Sequence, residues 1–562
     1  MDFYELMEVD LHNVVRVTQK ITVESVKPQT ERLNELQVQN NAGGYSYRID
    51  DKTRLLRYLV LGSDGGTYYC GENMMKRENV ACIDRLIIAG RGLEVVDCIY
   101  KVSIQGRSCK QNSVLYALAV CARSNDPHTK SSAYRVLPEV CRIPTHLFQF
   151  IKYCENESSG TGWGRAHKRA VCNWYKRYKN EPLKLAYLVT KYRNRNDWSH
   201  KDVLRLAHIK TPDDSVGFVV KYLVKGLKHA KMAENQEITD SDKEKVKKFL
   251  EAVEKANSCT DENVIIGLID TFHLAREHVP TEMLNSPSVW QALIWKMPVT
   301  AMIRNLGKMS SLELLSEGTE NEKKIVKKLT DREQLSSSKI HPFTILIAWN
   351  QYKKGHGDKG SLKWKVNHRV LKALDDAFHL SFSNVEPTGK RISLAIDVSG
   401  SMNCPVVGNA SVTAREASAA MMMLTARVES DFEIVAFSRG LTKLNINSND
   451  SLQSVISKCN QLYFSMTDCS LPITNAIEQS KSFDVFIIYT DSETYYGMTH
   501  PSEALVRYRQ YMGVPDAKLI VVGMASNGFS IADPNDPFMM DVVGFDTAAP
   551  QAIENFINNG TL

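Results

Sequence analysis

Two hydrophobic periodicities share this chain, and the place where one gives way to the other constrains the fold more than any single residue. Over residues 53–382 apolar side chains recur at helical spacing: Leu185, Leu188, Val189 and Tyr192 fall at i, i+3, i+4, i+7, as do Val246, Phe249, Leu250 and Val253. Each segment then buries one stripe of a helix. Start signals agree, with Ser241 and Glu244 spaced as a capping box and Ser286-Pro287 supplying an N-cap and a first-turn proline. Short loops with few strand signals favour antiparallel helix pairs stacked side by side, as in HEAT-like solenoids, although no clean repeat shows in the residues.

After Val385-Glu386-Pro387-Thr388-Gly389 the pattern changes. Residues 391–396, 432–437, 485–489 and 519–522 are short runs rich in Ile, Val and Phe, separated by helical segments at 413–428 and 502–511. Strands alternating with helices give a parallel sheet covered on both faces, with functional groups at the carboxyl ends of the strands. The expected architecture is multidomain: an all-α, HEAT-like helical-repeat part over 1–383, then a doubly wound α/β domain over 384–562.

Charge divides at the same place. From residue 384 on, 11 Lys+Arg face 19 Asp+Glu, which leaves 59 against 45 before it, about +14 for the first part and about −8 for the second. Either the first part meets a polyanion and the second a cation, or the two attract each other. The apolar runs at 114–122 and 519–525 are far shorter than the ~20 residues of a bilayer crossing, and residues 1–10 carry four carboxylates, so no membrane partner is expected. Twelve cysteines stand singly with no C-x-x-C pair, as in a reducing compartment. Cytoplasmic residence is expected, with the nucleus open as well.

The first C-terminal strand runs into Asp397-Val398-Ser399-Gly400-Ser401, a D-x-S-x-S sequence. Period-2 spacing puts Asp397, Ser399 and Ser401 on one side of an extended loop, and carboxylate plus neutral oxygens suits a hard divalent cation, chiefly Mg²⁺. Thr467 and Asp491 lie at later strand or loop ends. Phosphate-cradle, zincin and nucleophile-elbow signatures are missing. An aspartyl phosphatase would want a second carboxylate where Ser399 stands, so no enzyme is expected. Between Trp163 and Arg205 basic and aromatic residues interleave, among them Arg165, Lys168, Arg169, Trp174, Tyr175, His200 and Lys201. Cations neutralising phosphates and rings stacking on unpaired bases are the chemistry of single-stranded RNA recognition. Aromatics facing the core with cations facing water account for the same composition.

The carboxylate-hydroxyl loop resembles the metal-ion-dependent adhesion site of von Willebrand factor A domains. That resemblance implies Asp397, Ser399 and Ser401 as first-loop ligands, Thr467 from the second loop and Asp491 from the third, with a metal position open to a partner's carboxylate, hence an acidic protein ligand. Gly62-Ser63-Asp64-Gly65-Gly66-Thr67-Tyr68-Tyr69, Val140-Cys141-Arg142-Ile143-Pro144-Thr145-His146-Leu147-Phe148, Trp198-Ser199-His200-Lys201-Asp202, Arg304-Asn305-Leu306-Gly307-Lys308-Met309 and Ile340-His341-Pro342-Phe343 look like the TROVE module of the Ro sixty-kilodalton ribonucleoproteins. The match runs in order from about Gly43 to the end. It implies a ring of HEAT-like repeats closed by a von Willebrand A-like domain. It also implies Y RNA on an outer basic surface, and single-stranded 3′ ends of misfolded small noncoding RNAs in a central hole, a role in RNA quality control. His200 resembles a family histidine important for Y RNA binding, with Lys201, Arg165, Lys168 and Arg169 in the same basic region. The competing expectation is a helical-repeat protein-interaction scaffold with a metal-dependent adhesion site.

Overall fold

The computed structural model describes residues 27–559 except 63–66, 159, 161, 211–213, 233–240, 359, 383–384, 407–411 and 463–464. The acidic residues 1–10, the centre of the Gly62–Tyr69 motif and the junction at 383/384 lie outside the described residues.

Helices begin where side chains satisfy their free amides. Asp50 accepts from the Thr53 amide at 2.7 Å, Asp126 from Thr129 at 2.7 Å just before Pro127, and Ser286 from Val289 at 3.3 Å just before Pro287. Each such cap stabilises by about 1 kcal/mol. Helix Ser241–Ser258 buries Val246, Phe249, Leu250 and Val253, as the spacing predicts. What precedes Ser241 lies outside the described residues. Helix Pro182–Lys191 buries Leu185 and Val189 and leaves Leu188 half-buried.

The helical array curls until its last members meet its first. Lys339 Nζ donates to the Ile104 carbonyl at 2.7 Å, and His341 Nε2 donates to the Arg107 carbonyl at 3.1 Å while its Nδ1 accepts from the Phe343 amide. These contacts close a ring across more than half of the helical sequence. Between helices Pro182–Lys191 and His200–Ala207 sits a small hairpin, β3 (Asn194–Arg195) with β4 (Trp198–Ser199), turning through Asn196 and Asp197 at φ 51° and 66°. Two positive φ values are what a two-residue type I′ turn requires.

Among the described residues the large C-terminal sheet has the order β11 (Met539–Val543), β9 (Lys518–Gly523), β8 (Val485–Thr490), β5 (Ile392–Asp397), β6 (Phe432–Phe437), β7 (Leu441–Lys443). All pairs are parallel except β6 with β7. Its central strands β5 and β8 are buried on both faces, whereas the edge strand β7 is largely exposed. Leu394, Ile434, Ile487 and Ile520 join a core continuous with that of the ring, whereas Ala395, Val435, Ile488 and Val521 join a separate one. An amino-terminal hairpin, β1 (Gln37–Gln39) with β2 (Tyr45–Arg48), pairs antiparallel with β10 (Phe529–Ser530). This strap precedes the helices in sequence but packs on the α/β domain.

The α/β domain bridges the two ends of the helical array. From helix Asp51–Leu61, Arg57 grips both oxygens of Asp541 on β11 at 2.7 and 2.6 Å and also donates to Asn527 Oδ1 and the Phe529 carbonyl. Gly523 permits this approach, since a Cβ there would stand 2.8 Å from Arg57 Nη2. Arg107 pairs with Asp546. At the far end, Asp375 of helix His368–Leu380 accepts from the Leu452 amide at 3.1 Å.

Breaking one partner of a buried pair strands the other charge. Asp541→Asn is expected to weaken the ring-domain junction by about 3–5 kcal/mol, seen in calorimetry as an earlier or split unfolding transition. Asp376→Asn, which removes the exposed Lys372–Asp376 pair, should change stability by less than about 1 kcal/mol.

Candidate functional site

Asp397 ends β5, and the chain then passes through an extended Ser399 into a short helical turn, Gly400–Asn403. The loop's shape comes from its own polar groups. Asp397 Oδ1 accepts from the Ser399 amide at 2.9 Å and Oδ2 from the Thr490 hydroxyl at 2.7 Å, and the hydroxyls of Ser399 and Ser401 lie 3.1 Å apart. Arg415, from helix Ala414–Val428, donates to the Val398 carbonyl at 2.8 Å. Ser401 also hydrogen-bonds Asp491, which follows β8 directly. The second loop touches the first through the Gly400 amide and Ser465 carbonyl, and the third through the Thr467 carbonyl, which accepts from the amides of Tyr495 and Tyr496. All five residues singled out in the sequence, Asp397, Ser399, Ser401, Thr467 and Asp491, are buried; hydrogen bonds link Asp397 to Ser399, Ser399 to Ser401 and Ser401 to Asp491, and Thr467 meets the third loop through its backbone carbonyl.

The electrostatics of this cluster are unfavourable as it stands. Burial, with the charges of Asp397 and Glu493 beside it, holds the Asp491 carboxyl well above the ordinary range, and burial likewise raises Asp397 and Glu493. Buried carboxylates among hydroxyls are a donor set for a hard divalent cation, with the Cys404 and Cys469 thiols close by. The residues present therefore fit the ion. Glu493 was not singled out in the sequence. It lies two residues past Asp491 and accepts from Asn41 and Ala42 of the strap and from Asn527.

The approach to the cluster is occupied by the chain itself. A cavity of about 40 Å³ separates Ser401 and Asp491 from Leu61, Thr67, Tyr68 and Met75 of the ring, which is room for about three waters. An acidic ligand from a separate protein, expected by resemblance, thus meets the protein's own helical part where it would have to enter.

Inside the ring is a cavity of about 1440 Å³. Its wall is drawn from helices all around the array, including Gln111–Arg123, Pro144–Asn156, Val299–Ser311 and Pro342–Lys353. Lys110, Lys191, Arg193 and Arg195 face it from one stretch of wall, and Arg276, Arg304 and Lys308 from another, against Glu277 and Asp358. Lys110 and Arg276 escaped the sequence reading, and Arg304 and Lys308 entered it only as part of a family motif. Their signal is spacing: on helix Val299–Ser311 they sit at i, i+4, off the buried stripe of Met302, Ile303, Leu306 and Met309.

On the outer side, Arg165 and Arg169 are exposed and Lys168 half-buried on helix Arg165–Lys176, and Lys201 is exposed on the adjoining helix His200–Ala207. The rings between them are mostly not available for stacking. Trp174, Tyr175 and Tyr178 are buried, whereas Trp163 and Trp198 stay half-exposed with centroids 5.8 Å apart.

His200, which the resemblance implies in Y RNA binding, is a buried residue. It is only 2% exposed. Nε2 lies 3.0 Å from the Tyr192 carbonyl and Nδ1 2.8 Å from the Tyr175 hydroxyl. A carbonyl can only accept, so Nε2 carries the proton and Nδ1 accepts from the tyrosine, which is a neutral ring. Burial pushes its pKa down to about 3. His200 fixes the exit of helix Pro182–Lys191 against the start of its own helix, next to Arg193, Arg195 and Lys201.

Two family descriptions match the chain: a TROVE domain over residues 38–351 and a Ro60 vWA domain over residues 391–557. A Caenorhabditis elegans protein named RNA-binding protein RO60 is 38% identical over 594 aligned positions, covering 95% of this chain and 92% of its own. A Deinococcus radiodurans protein of the same name is 36% identical over 532 positions, covering 94% of this chain and 97% of its own. The crystal structure of the Deinococcus radiodurans RO (RSR) protein superposes with a TM-score of 0.64 at 33% identity, covering 91% of this chain and 100% of that one.

Because His200 and His167 are both depressed to about 3 by burial, the unfolded chain binds their protons first as pH falls. Their contribution is whole above about pH 6.5 and is lost progressively down to about pH 3. Denaturant unfolding at pH 7 and pH 5 should show the loss. His200→Gln, which removes the titrating ring, should be less stable at pH 7 and lose less between the two pH values.

Proposed function

Because the chain belongs to the TROVE-domain family of Ro60 proteins, we propose that it is an RNA-binding scaffold with no chemistry of its own. On this reading it carries small noncoding Y RNAs on the outer basic surface around Arg165, Arg169 and Lys201. It takes single-stranded 3′ ends of misfolded small noncoding RNAs into the ring, a role in RNA quality control. The observation that supports this most is the interior cavity, where seven cations face two carboxylates. Phosphates passing along such a wall exchange their condensed counterions for fixed guanidinium and ammonium groups, a gain that needs no particular base sequence. The half-exposed Trp163 and Trp198 offer the few ring faces on which an unpaired base could stack.

We also propose that Asp397, Ser399, Ser401, Thr467 and Asp491 hold a divalent cation, Mg²⁺ foremost. The ion would supply charge neutralisation to a buried carboxylate cluster and no reaction. What supports this is the donor set and the burial of its carboxylates.

Charge reversal separates the two RNA surfaces. In gel shifts, the Arg165→Glu, Arg169→Glu, Lys201→Glu triple variant should weaken a structured Y-type RNA by about tenfold or more and spare an RNA with a loose 3′ tail. Arg304→Glu with Lys308→Glu should do the reverse. For tailed RNA, log K should fall with log salt at about −0.7 per phosphate contacted. A flat salt response, or both variants binding like wild type, would overturn the reading.

A further inference from the structure

The third loop of the proposed cation site faces two ways. Asp491 points its ligand group into the cluster with Ser401, and its Oδ1 also accepts from the Glu493 amide at 3.1 Å. Two residues on, the Glu493 carboxylate is gripped by the amino-terminal strap. The Asn41 amide and side-chain nitrogen donate to its two oxygens at 2.8 Å each, and the Ala42 amide adds a third bond at 3.2 Å. Asn527 ties both halves together, its Nδ2 donating to Glu493 Oε1 at 3.1 Å and to the Asp491 carbonyl at 2.6 Å.

The strap reaches the second loop as well. Gln29 donates to Asp468 Oδ1 at 2.8 Å and to the Thr499 carbonyl at 2.7 Å, and accepts from the Thr494 hydroxyl. Asn40 donates to the Thr494 carbonyl at 2.8 Å and Ser46 to the Ser492 carbonyl at 3.0 Å. The fit leaves no slack. A Cβ on Gly44 would lie 2.0 Å from the Thr494 carbonyl oxygen, and one on Gly497 would lie 2.3 Å from both Gln29 Nε2 and Asp468 Oδ1.

We propose that cation binding at the Asp397 cluster and docking of the strap, residues 29–48, are one coupled equilibrium, with the Asp491-to-Thr494 turn as the shared element. The inference rests on the cation reading given above and adds to it a role: the ion is a clasp within the chain, holding its first segment to its last domain. The physical reason is that Asp397, Asp491 and Glu493 are buried together, and the donors that grip Glu493 are neutral. With the ion in place, the turn can hold Asp491 close to Asp397. Without it, repulsion moves the turn, and Glu493 takes Asn41 and Ala42 with it. Coupling of this kind is reciprocal: whatever factor the ion contributes to strap docking, the docked strap contributes to ion affinity.

The test uses the full chain and MgCl₂ alone. Amide hydrogen exchange over residues 37–48 is compared in Mg²⁺ and in EDTA, and Mg²⁺ affinity is measured by calorimetry for wild type, Asn41→Ala and Asp397→Ala. The expected result is exchange at the strap about tenfold faster after chelation, Mg²⁺ bound about tenfold more weakly by Asn41→Ala, and no heat from Asp397→Ala. Wild type that binds Mg²⁺ while its strap exchanges at the same rate in both buffers would overturn the coupling alone. Wild type that takes up no Mg²⁺ at millimolar concentration would overturn the cation reading and the coupling with it. The chelation arm needs no substitution, so a variant that fails to fold does not blunt the test.

Discussion

A solenoid of helix pairs has two raw ends, and this protein joins them through buried charge. Arg57, in the first helix of the array, is wholly buried against Asp541, at the edge strand of the C-terminal sheet, while Asp375 in the last helix before the sheet caps the helix Leu452–Asn460. The ring itself is closed by the contacts of Lys339 and His341 with the Ile104 and Arg107 carbonyls. The interior cavity exists only if the array is closed, and the carboxylate cluster is walled on one side by the ring. A guanidinium with five donors in a fixed plane is well suited to such a joint, since it can meet a carboxylate bidentately and still reach Asn527 and the Phe529 carbonyl.

The charge asymmetry read from the sequence admits two accounts, attraction between the parts and attraction to outside partners, and the structure gives material to both. Arg57–Asp541 and Arg107–Asp546 cross from the basic part to the acidic one. These use only a small part of the positive excess. Much of the remainder is sorted by position: one set lines the cavity, another covers the outer faces of helices Arg165–Lys176 and His200–Ala207.

How much was legible follows from how local each signal is. Four of the six described strands of the large sheet were placed within a residue or so, because each carries its own apolar run; the edge strands β7 and β11 were not singled out. The Asp397–Ser401 loop stood out because its oxygens follow a strand directly. The strap did not: β2 is Tyr-Ser-Tyr-Arg, an alternation only four residues long, and its partner β10 lies more than 480 positions away. Glu493 was missed for the same reason, since its donors Asn41 and Ala42 come from that strap. His200 is a different case. His200, Val203, Leu204 and Ala207 fall at i, i+3, i+4, i+7 and are the buried stripe of their helix. The periodicity of that helix assigns this histidine to its inner face. His167, Ala170, Val171 and Trp174 repeat the pattern one helix pair earlier and leave Arg165, Lys168 and Arg169 outside. Motif context drew the eye to the histidine; spacing would have told its position.

The two cationic surfaces should not behave alike, even toward the same polymer. Charges on an exposed helix stand in solvent, where a Debye length of about 8 Å at physiological salt weakens anything beyond direct contact. Charges around a concave wall act together, because low-dielectric protein on every side directs their field into the cavity rather than into water. A strand inside the ring would meet Lys110, Lys191, Arg193, Arg195, Arg276, Arg304 and Lys308 from several directions at once. A duplex lying on the outer helices would meet its cations from one side only. Closure of the ring by the Lys339 and His341 contacts is thus an electrostatic statement as much as a mechanical one. It gathers scattered helix-face cations around one cavity, where the proposed unpaired RNA end would meet them together.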